Sequence, residues 1–494
     1  MDYASDMILL LDHFSEESKN LYESFCHAGI DIPTAVIEDD GFLPEGVISA
    51  YGFFLQEKDA ASFSPVSSEN VEGKNSNEIH ATDAETTANI RNEIGVWVKR
   101  PRYFNEIDIP PYWRIEGTNR DAKVMDHDRE AARLFYREPR QERIVKAADW
   151  VDASNKVRLT EHYNRFGEIF CRTIFDGNGK KIVRKFYTGT GKERIAENFV
   201  TGDIWLNYEG RDHIFHNKTA FVQFFLECAG FANHRMLYDS LSFPFFVSQS
   251  RADTKKNDIL FWHEPIQNGI PGNMQIILDK EKSHTSCIYV TKKQSYESLL
   301  TLGASQKIVK QLGYVYHFKR ENGHRGDALI CTNSERVAHL RELAKLVPKM
   351  RFHVAAFTEM SQALMRIGQE SNVFLYPNVK PKLLAELFGK CDYYLDINYE
   401  GEMADAVHRA FLENQLIVAF EETMHNKAYI APTNVFSETE YQDLAEALRM
   451  ALRTPTLVDA AVEKQREAAL SVTGDRLSAL LPSDNLQKPS ALLE

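Results

Sequence analysis

The 494-residue sequence lacks paired cysteines and long apolar runs. Its cysteines include no C-x-x-C pair, which argues against a disulfide framework or a zinc site and predicts reduced, mostly buried thiols. No stretch approaches the roughly 18 apolar residues that a membrane-spanning helix needs, and the run at 7–11 is too short for a signal peptide. We therefore expect a cytoplasmic protein in which any membrane association is peripheral. The six cysteines are Cys26, Cys171, Cys228, Cys287, Cys331 and Cys391.

Positive charge is also scarce. The 58 Lys and Arg residues are outnumbered by 71 Asp and Glu residues, and the net charge of −13 argues against a nucleic-acid-binding protein. Apolar residues make up 43% of the chain and charged residues 26%, which excludes a wholly disordered or collagen-like protein. A chain of this length is expected to form about two to four globular domains.

The order of apolar runs predicts an α/β protein with an all-β insertion. Strands and helices alternate near the N-terminus, again after 217 and again after 327, which indicates two Rossmann-like domains with parallel sheets. Within the second domain, a helix is predicted over 334–346. The predicted segments are 1–56 (N-terminal segment of the first Rossmann-like domain), 57–95 (polar linker), 96–215 (extended β-sheet insertion), 216–322 (C-terminal segment of the first Rossmann-like domain), 323–482 (second Rossmann-like domain) and 483–494 (tail).

The insertion carries turn signals about every twelve residues, which predicts an antiparallel β-meander. One turn, DGNG at 176–179, has glycines like those of a phosphate-binding loop, but strand-like flanks on both sides favour a hairpin. The adjoining run at 180–185 contains four cations. Two interpretations of this run stay open: a surface that docks on anionic lipid or an acidic partner, and a charged strand edge that blocks aggregation, which we favour.

Polar residues follow several predicted strands, where the loops of a parallel sheet line its ligand crevice. His263 and Glu264 follow one apolar run, and a histidine beside a carboxylate suits acid–base chemistry. The acidic loops that contain Glu402 and His425 follow two other runs. Each of these residues also has a plain interpretation, a loop side chain with no role in binding.

Several segments carry a family resemblance. YPNV at 376–379, LLAELF at 383–388, CDYYLDIN at 391–398 and LIVAF at 416–420 resemble a two-domain (GT-B) retaining glycosyltransferase, in which two Rossmann-like domains face one cleft. More narrowly, DGFLP at 40–44, FWHEPI at 261–266, IPGNM at 270–274 and DIN at 396–398 resemble the stabilising subunit of the accessory Sec system O-GlcNAc transferase. The resemblance covers nearly the whole chain, whereas 57–90 matches nothing.

The sequence departs from the active GT-B pattern at the residues that hold the donor. Active members carry two glutamates on a loop and helix of the second domain. Here Arg409 takes the place of the second glutamate, and Gly401 takes the place of the first. Active members also place an Arg and a Lys after the first strand of this domain to neutralise the donor diphosphate, whereas this chain has Arg336 and no following Lys. The resemblance therefore implies no catalytic residues, no cofactor and no metal.

The resemblance implies a non-catalytic stabilising and acceptor-binding subunit. Its partner would be a catalytic GlcNAc-transferase homologue, in a heterotetramer that transfers GlcNAc from UDP-GlcNAc to Ser and Thr of serine-rich-repeat adhesins before accessory Sec export. The complex is expected at the inner face of the cell membrane, with the β-meander as the contact surface between subunits. The candidate acceptor-binding residues are Asn333, Glu402, His425 and His263.

Two other functions stay open. One is an active or altered GT-B glycosyltransferase, or a sugar-binding hydrolase, whose site is built from His263, Glu402 and His425. The other is a purely structural scaffold whose cleft binds nothing.

Overall fold

The protein has the predicted α/β class, with two parallel sheets and one antiparallel sheet of ten strands. The computed structural model describes residues 6–56, 89–91, 97–118, 120–138, 140–251, 257–267, 269–279 and 283–479. The predicted tail at 483–494 and the predicted linker at 57–95, apart from 89–91, lie outside these residues. The chain forms two compact units: unit 1 (Met1–Ser18, Ile32–Phe261 and Pro271–Cys287) and unit 2 (Lys19–Asp31, Trp262–Ile270 and Ile288–Glu494).

The first parallel sheet has seven strands in the order β19-β18-β17-β16-β1-β2-β3. Its first strand has five consecutive apolar residues, all buried, as expected for a parallel strand that is covered on both faces. The strands are β1 (Met7–His13), β2 (Thr34–Glu38), β3 (Val47–Ser49), β16 (Arg235–Tyr238), β17 (Asp258–Trp262), β18 (Thr285–Val290) and β19 (Val309–Gln311). The helices that accompany this sheet along the chain are α1 (Glu16–His27), α2 (Gly52–Leu55), α3 (Lys218–Cys228), α4 (Phe243–Ser250), α5 (Gly272–Leu278) and α6 (Lys293–Thr301).

The predicted β-meander is confirmed as a ten-stranded antiparallel sheet in sequence order. The DGNG turn joins β11 to β12 as a hairpin, so the phosphate-loop interpretation is wrong. The strands are β6 (Arg114–Gly117), β7 (Asp121–Asp126), β8 (Arg129–Tyr136), β9 (Val145–Val151), β10 (Val157–Tyr163), β11 (Ile169–Phe175), β12 (Lys181–Tyr187), β13 (Glu193–Asn198), β14 (Ile204–Tyr208) and β15 (Arg211–Phe215). Before them, β4 (Asn89–Arg91) pairs with β5 (Trp97–Lys99).

The second parallel sheet has six strands in the order β22-β21-β20-β23-β24-β25. Its strands are β20 (Asp327–Cys331), β21 (Arg351–Ala355), β22 (Val373–Tyr376), β23 (Tyr393–Asp396), β24 (Leu416–Phe420) and β25 (Val435–Phe436). Its helices are α7 (Leu340–Leu346), α8 (Gln362–Ile367), α9 (Pro381–Lys390), α10 (Ala406–Leu412), α11 (Tyr441–Arg453), α12 (Pro455–Ala468) and α13 (Gly474–Ser478). None of the described helices is both long enough and apolar enough to cross a membrane.

The helix predicted over 334–346 begins later than expected, at Leu340. The residue before it, His339, has a left-handed backbone with φ of 48°, which interrupts a right-handed helix. The amide of Ala338 donates to the carbonyl of Ile397 at 2.8 Å, and Val337 forms an isolated bridge with Asn398, so the bends and turn before the helix are bonded to another loop.

Aromatic side chains attach the ten-stranded sheet to the helices of unit 1. Tyr51, just before α2, stacks on Phe186 of β12 with ring centroids 4.3 Å apart. Phe54 of α2 meets Tyr208 of β14 edge-on at 5.0 Å and lies 5.5 Å from Phe221 of α3. Close aromatic pairs of this kind add to the stabilisation that burial of their apolar area provides.

Four charged residues form a second attachment, which we call the four-charge cluster: Glu38, Arg184, Glu197 and Lys218. Arg184 of β12 bonds Glu38 at the end of β2 at 2.9 Å and Glu197 of β13 at 2.6 Å. Lys218, the first residue of α3, also contacts both carboxylates. Burial alone would raise the pKa of Glu38, but Arg184 and Lys218 lower it to about 2. The cluster therefore joins the insertion to the parallel sheet through ion pairs.

A third attachment is a close backbone approach at Gly41, in the loop after β2. The amide of Arg165 donates to the Gly41 carbonyl at 2.8 Å. Gly41 has φ of +89°, and a Cβ at this position would lie 2.5 Å from the Tyr163 carbonyl oxygen. Only glycine accommodates both the left-handed backbone and this contact, so the hairpin between β10 and β11 rests directly on the loop.

We expect Arg184→Met to lower the free energy of unfolding by about 3 kcal/mol, because it leaves the buried Glu197 and the largely buried Glu38 short of a cation. Lys185→Met on the same strand is the matched control. Lys185 bonds only the one-third-exposed Glu193, so its loss should cost less than about 1 kcal/mol. Urea denaturation followed by circular dichroism measures both effects, and equal losses for the two variants would contradict the structural role of the cluster.

Candidate functional site

The second parallel sheet has a topological switch point between β20 and β23. From β20 the chain continues to β21 and β22 on one side, whereas β23 lies on the other side and leads to β24. Ligands of open α/β sheets bind outside the carboxyl ends of the strands at such a point. Three of the predicted residues follow strands of this sheet: Asn333 follows β20, Glu402 follows β23 and His425 follows β24.

The loops that leave the switch point are hydrogen-bonded to each other. Val337 and Asn398 form an antiparallel bridge, and the Tyr399 amide donates to the Arg336 carbonyl at 3.1 Å. The Thr332 hydroxyl donates to the Asn398 side chain at 2.8 Å, and both side chains are buried. The backbone and side chains of these loops therefore occupy the space between the two strand ends.

His425 holds a third loop in place. Its Nδ1 lies 2.6 Å from Asp396 at the end of β23, and its Nε2 lies 2.5 Å from the Glu400 carbonyl. Burial would lower the pKa of His425, but the hydrogen bond and charge of Asp396 raise it to about 9. The imidazolium therefore donates from both ring nitrogens at neutral pH, and neither nitrogen is available as a base.

The other predicted residues also make hydrogen bonds within the fold. Glu402 accepts from the Val407 amide at 2.8 Å near the start of α10, and burial raises the pKa of this carboxyl. The negative charge of Glu402 also contributes to the raised pKa of His425, so these two groups interact electrostatically. Asn333 accepts from the Phe357 amide at 2.9 Å, which joins the loops after β20 and β21. His263 follows β17 of the seven-stranded sheet.

The positions that hold carboxylates in active GT-B enzymes carry none in this chain. Gly401 is exposed, and the Arg409 guanidinium stacks on the Phe388 ring at 4.3 Å from its centroid. Arg336 lies over the Tyr399 ring at 4.9 Å and bonds Glu400 at 3.3 Å. The Arg409 cation is thus part of the packing of unit 2, whereas Gly401 faces open space, and Arg336 of the diphosphate segment is already paired.

Sequence reasoning missed the residues that shape these loops, namely Thr332, Asp396 and Asn398. All three are buried polar residues at or just after the ends of apolar strands. Asp396 and Asn398 also belong to the DIN motif of the family resemblance, but that motif assigned them no role in the loops. A buried polar group must find a partner, and here the partners lie on neighbouring loops of the same sheet.

Comparisons with known proteins cover most of the chain. Family models match it at 8–54 (GtfB N-terminal domain), 113–216 (GtfB middle domain), 218–302 (GtfB third domain) and 328–465 (GftB/GlyA-F C-terminal domain). A Streptococcus agalactiae protein named UDP-N-acetylglucosamine–peptide N-acetylglucosaminyltransferase stabilizing protein GtfB is 38% identical over 477 residues, 96% of this chain and 99% of that protein. The chain belongs to the GtfB family.

Two further comparisons agree with this GtfB assignment. The GtfB protein of Streptococcus gordonii is 35% identical over 96% of this chain and 99% of its own length. A chain in the crystal structure of a GtfA/B complex bound to UDP and GlcNAc superposes with a TM-score of 0.82 at 35% identity, over 96% of this chain and 99% of that one. The predicted resemblance is confirmed, and the fold is that of the GT-B glycosyltransferases.

The raised pKa of His425 makes the stability of this GtfB protein depend on pH. A histidine whose folded pKa lies above the ordinary 6.5 stabilises fully below pH 6.5, and this stabilisation is lost as the pH rises towards 9. We expect the difference in unfolding free energy between wild type and His425→Gln to shrink across this range in urea titrations. The control is His324→Gln, because the partner of His324, Asp459, is 59% exposed. If the difference in unfolding free energy between wild type and His425→Gln is constant with pH, this result would contradict a charged His425 in the folded protein.

Proposed function

We propose that the chain is a non-catalytic, stabilising and acceptor-binding subunit of a protein O-GlcNAc transferase complex. Its partner is a GtfA-type catalytic subunit, and the complex glycosylates Ser and Thr of serine-rich-repeat adhesins before accessory Sec export. Membership of the GtfB family supports the stabilising role, since relatives are named for it. The observation that carries the absence of catalysis is Arg409, a stacked cation where a donor-binding carboxylate belongs.

The charges of the loops also argue against binding of a nucleotide donor. A nucleotide diphosphate needs cations that are free to pair with it. In the described loops after β20, β23 and β24, Arg336 already pairs with Glu400, and protonated His425 pairs with Asp396. Glu402 adds another carboxylate nearby. A bound donor would have to displace these pairs and would face acidic side chains, so donor binding is unfavourable here.

The alternative of an altered enzyme rests on Glu402, whose raised pKa would suit a general acid. His425 does not serve as the base for such an enzyme, because both of its ring nitrogens donate hydrogen bonds. We therefore keep His425 in the proposal as the residue that positions the loop. We keep Asn333, Glu402 and His263 as the residues that contact the acceptor.

Acceptor capture by a second, inactive subunit has a simple physical rationale. A disordered Ser-rich polypeptide binds each site weakly, and a neighbouring tethered site raises its effective concentration at the catalytic subunit. Asn333 and Glu402 offer amide and carboxyl groups of the kind that pair with hydroxyls and peptide groups. Each such bond contributes on the order of 1 kcal/mol, so several must act together.

The ten-stranded sheet supports the proposed contact with the catalytic subunit. Its strands β7 to β9 have a hydrophobic core of their own, built around Val124, Leu134 and Ala148. On β8, Phe135 is 40% exposed. A self-supporting sheet with an exposed aromatic residue suits a protein interface. We propose a heterotetramer held by this surface, with the complex in peripheral contact with the inner face of the cell membrane.

The purified chain is expected to transfer no GlcNAc and to hydrolyse UDP-GlcNAc no faster than buffer. Mixed with the catalytic homologue, it should raise transfer to a Ser-rich peptide by about tenfold or more, through effective concentration. Radiolabelled UDP-GlcNAc measures both reactions. Turnover by the chain alone that disappears in Glu402→Gln would support the altered-enzyme alternative instead.

Peptide affinity, measured beside the transfer assay, separates acceptor capture from a purely structural scaffold. Replacing Asn333 and Glu402 together by Ala, with His425 retained, should weaken peptide binding by about tenfold while the variant still assembles with the catalytic subunit. Stimulated transfer with unchanged peptide affinity in this double variant would favour the scaffold.

Phe135→Asp is expected to abolish co-purification with the catalytic homologue, because it places a charge in the proposed apolar contact. The matched control is Phe374→Asp on β22, where the phenylalanine is 41% exposed. Size-exclusion chromatography of the co-expressed proteins measures assembly. Equal recovery of the partner with both variants would exclude this face of β8 from the interface.

A further inference from the structure

Two acidic residues are neighbours at the carboxyl edge of the first parallel sheet, and we call them the Asp12–Asp239 pair. Asp12 lies near the end of β1 and Asp239 directly follows β16, and these two strands pair in parallel. The Asp12 amide donates to Oδ1 of Asp239 at 3.1 Å. Asp239 is only 2% exposed. Both residues belong to unit 1, whereas the loops of the candidate site belong to unit 2.

Two hydroxyl groups connect the start of α1 to Asp239. Ser18, in the first turn of α1, is buried and donates to Oδ2 of Asp239 at 2.5 Å. The Ser15 hydroxyl, just before the helix, lies 2.9 Å from the Ser18 hydroxyl and accepts from the Ser18 amide at 3.2 Å. The first turn of α1 therefore covers the Asp239 carboxyl group and is bonded to it.

The contacts of Asp239 favour its neutral form. Its hydrogen-bond donors are a hydroxyl and an amide, and no ion pair to Asp239 occurs among the described residues. Oδ1 of Asp12 is also buried and has no hydrogen-bond partner in the part of the chain that the structure describes. A buried carboxylate without a cation is costly, and a second carboxylate nearby adds repulsion. Burial, with a smaller contribution from the charge of Asp12, raises the pKa of Asp239 to about 7.

The cations on neighbouring elements are engaged elsewhere. His13 is 66% exposed and lies 3.9 Å from Asp12, and Lys218 bonds both carboxylates of the four-charge cluster. Helix α4, which packs on β1 and β16, contains no charged residue, and β17 pairs with β16 through apolar residues. The charged groups of the neighbouring elements are His13 on β1, Glu38 on β2, Lys218 on α3 and, in the first turn of α1, Glu16, Glu17 and Lys19.

We infer that the Asp12–Asp239 pair is a pH-sensitive switch that controls the first turn of α1. At low pH Asp239 carries a proton, and Ser18 stays bonded over it. As the pH rises, this proton passes to solvent. The ionised carboxylate then favours a conformation in which the first turn of α1 opens and water reaches Asp239. This inference concerns the chain alone and does not rest on the proposed function.

Hydrogen exchange of the full chain, followed by mass spectrometry of peptides that cover the first turn of α1, tests the switch between pH 5 and pH 8. After correction for intrinsic exchange, protection in wild type should fall at least about tenfold from pH 5 to pH 7 and then level off. The reason is that the carboxyl group has a pKa of about 7 when the turn is closed and its ordinary 3.8 when the turn is open.

Asp239→Asn keeps the shape of the side chain and should reduce this change to less than about threefold. The matched control is Asp258→Asn. Asp258 is also buried in this sheet and accepts from a serine hydroxyl, that of Ser248 at 2.7 Å, but Arg251 supplies a cation 3.4 Å away. This control should retain the pH dependence of wild type in α1.

Asp12→Asn provides a second test, which does not require Asp239→Asn to fold. Removal of the neighbouring charge should lower the pH at which protection levels off by about 1 unit. An unchanged midpoint in Asp12→Asn would overturn the inference. So would protection of α1 in wild type that is constant from pH 5 to pH 7, or a tenfold change that survives in Asp239→Asn.

Discussion

The ionic contacts of Arg184 with Glu38 and Glu197 are the constraint on which the architecture of unit 1 depends. Transfer of these charges from water is costly, and the cost is offset only when opposite charges meet at hydrogen-bond distance. Lys218 supplies the second cation, so two carboxylates face two cations across four elements, β2, β12, β13 and α3. This arrangement forms only when the parallel sheet, the inserted sheet and α3 are in their native positions relative to one another. The aromatic contacts of Tyr51 and the close approach at Gly41 need the same relative positions.

In unit 2 a similar pair of buried charges stabilises loops instead of joining two sheets. His425 and Asp396 form an ion pair at the carboxyl edge of the second parallel sheet, where an open α/β fold places its ligands. The pair stabilises loops that are also joined through Val337 and Asn398. The charges near the switch point are thereby used in internal contacts, as the proposed non-catalytic role requires.

Much of this protein could be predicted from local sequence patterns. Buried parallel strands appear as short apolar runs such as the one in β1, and the meander appears as turn residues at a regular spacing. The absent donor residues were also visible, because Gly401 and Arg409 stand at positions defined by neighbouring residues on one loop and helix. These features need only a few consecutive residues to specify them, and the structure agrees with the predicted parallel strands and the meander.

The tertiary structure alone decided the long-range pairings. Glu38 and Arg184 are 146 positions apart, and no local pattern selects one arginine among many. The late start of α7 depends on the Ala338 amide bonding the Ile397 carbonyl, a contact with a distant loop. His425 looked like a free loop residue until the fold placed Asp396 and the Glu400 carbonyl on its two nitrogens. The physical reason is the same in each case: local residues determine backbone preference, whereas the partner of a buried charge or amide is whichever group the folded chain brings within hydrogen-bond distance.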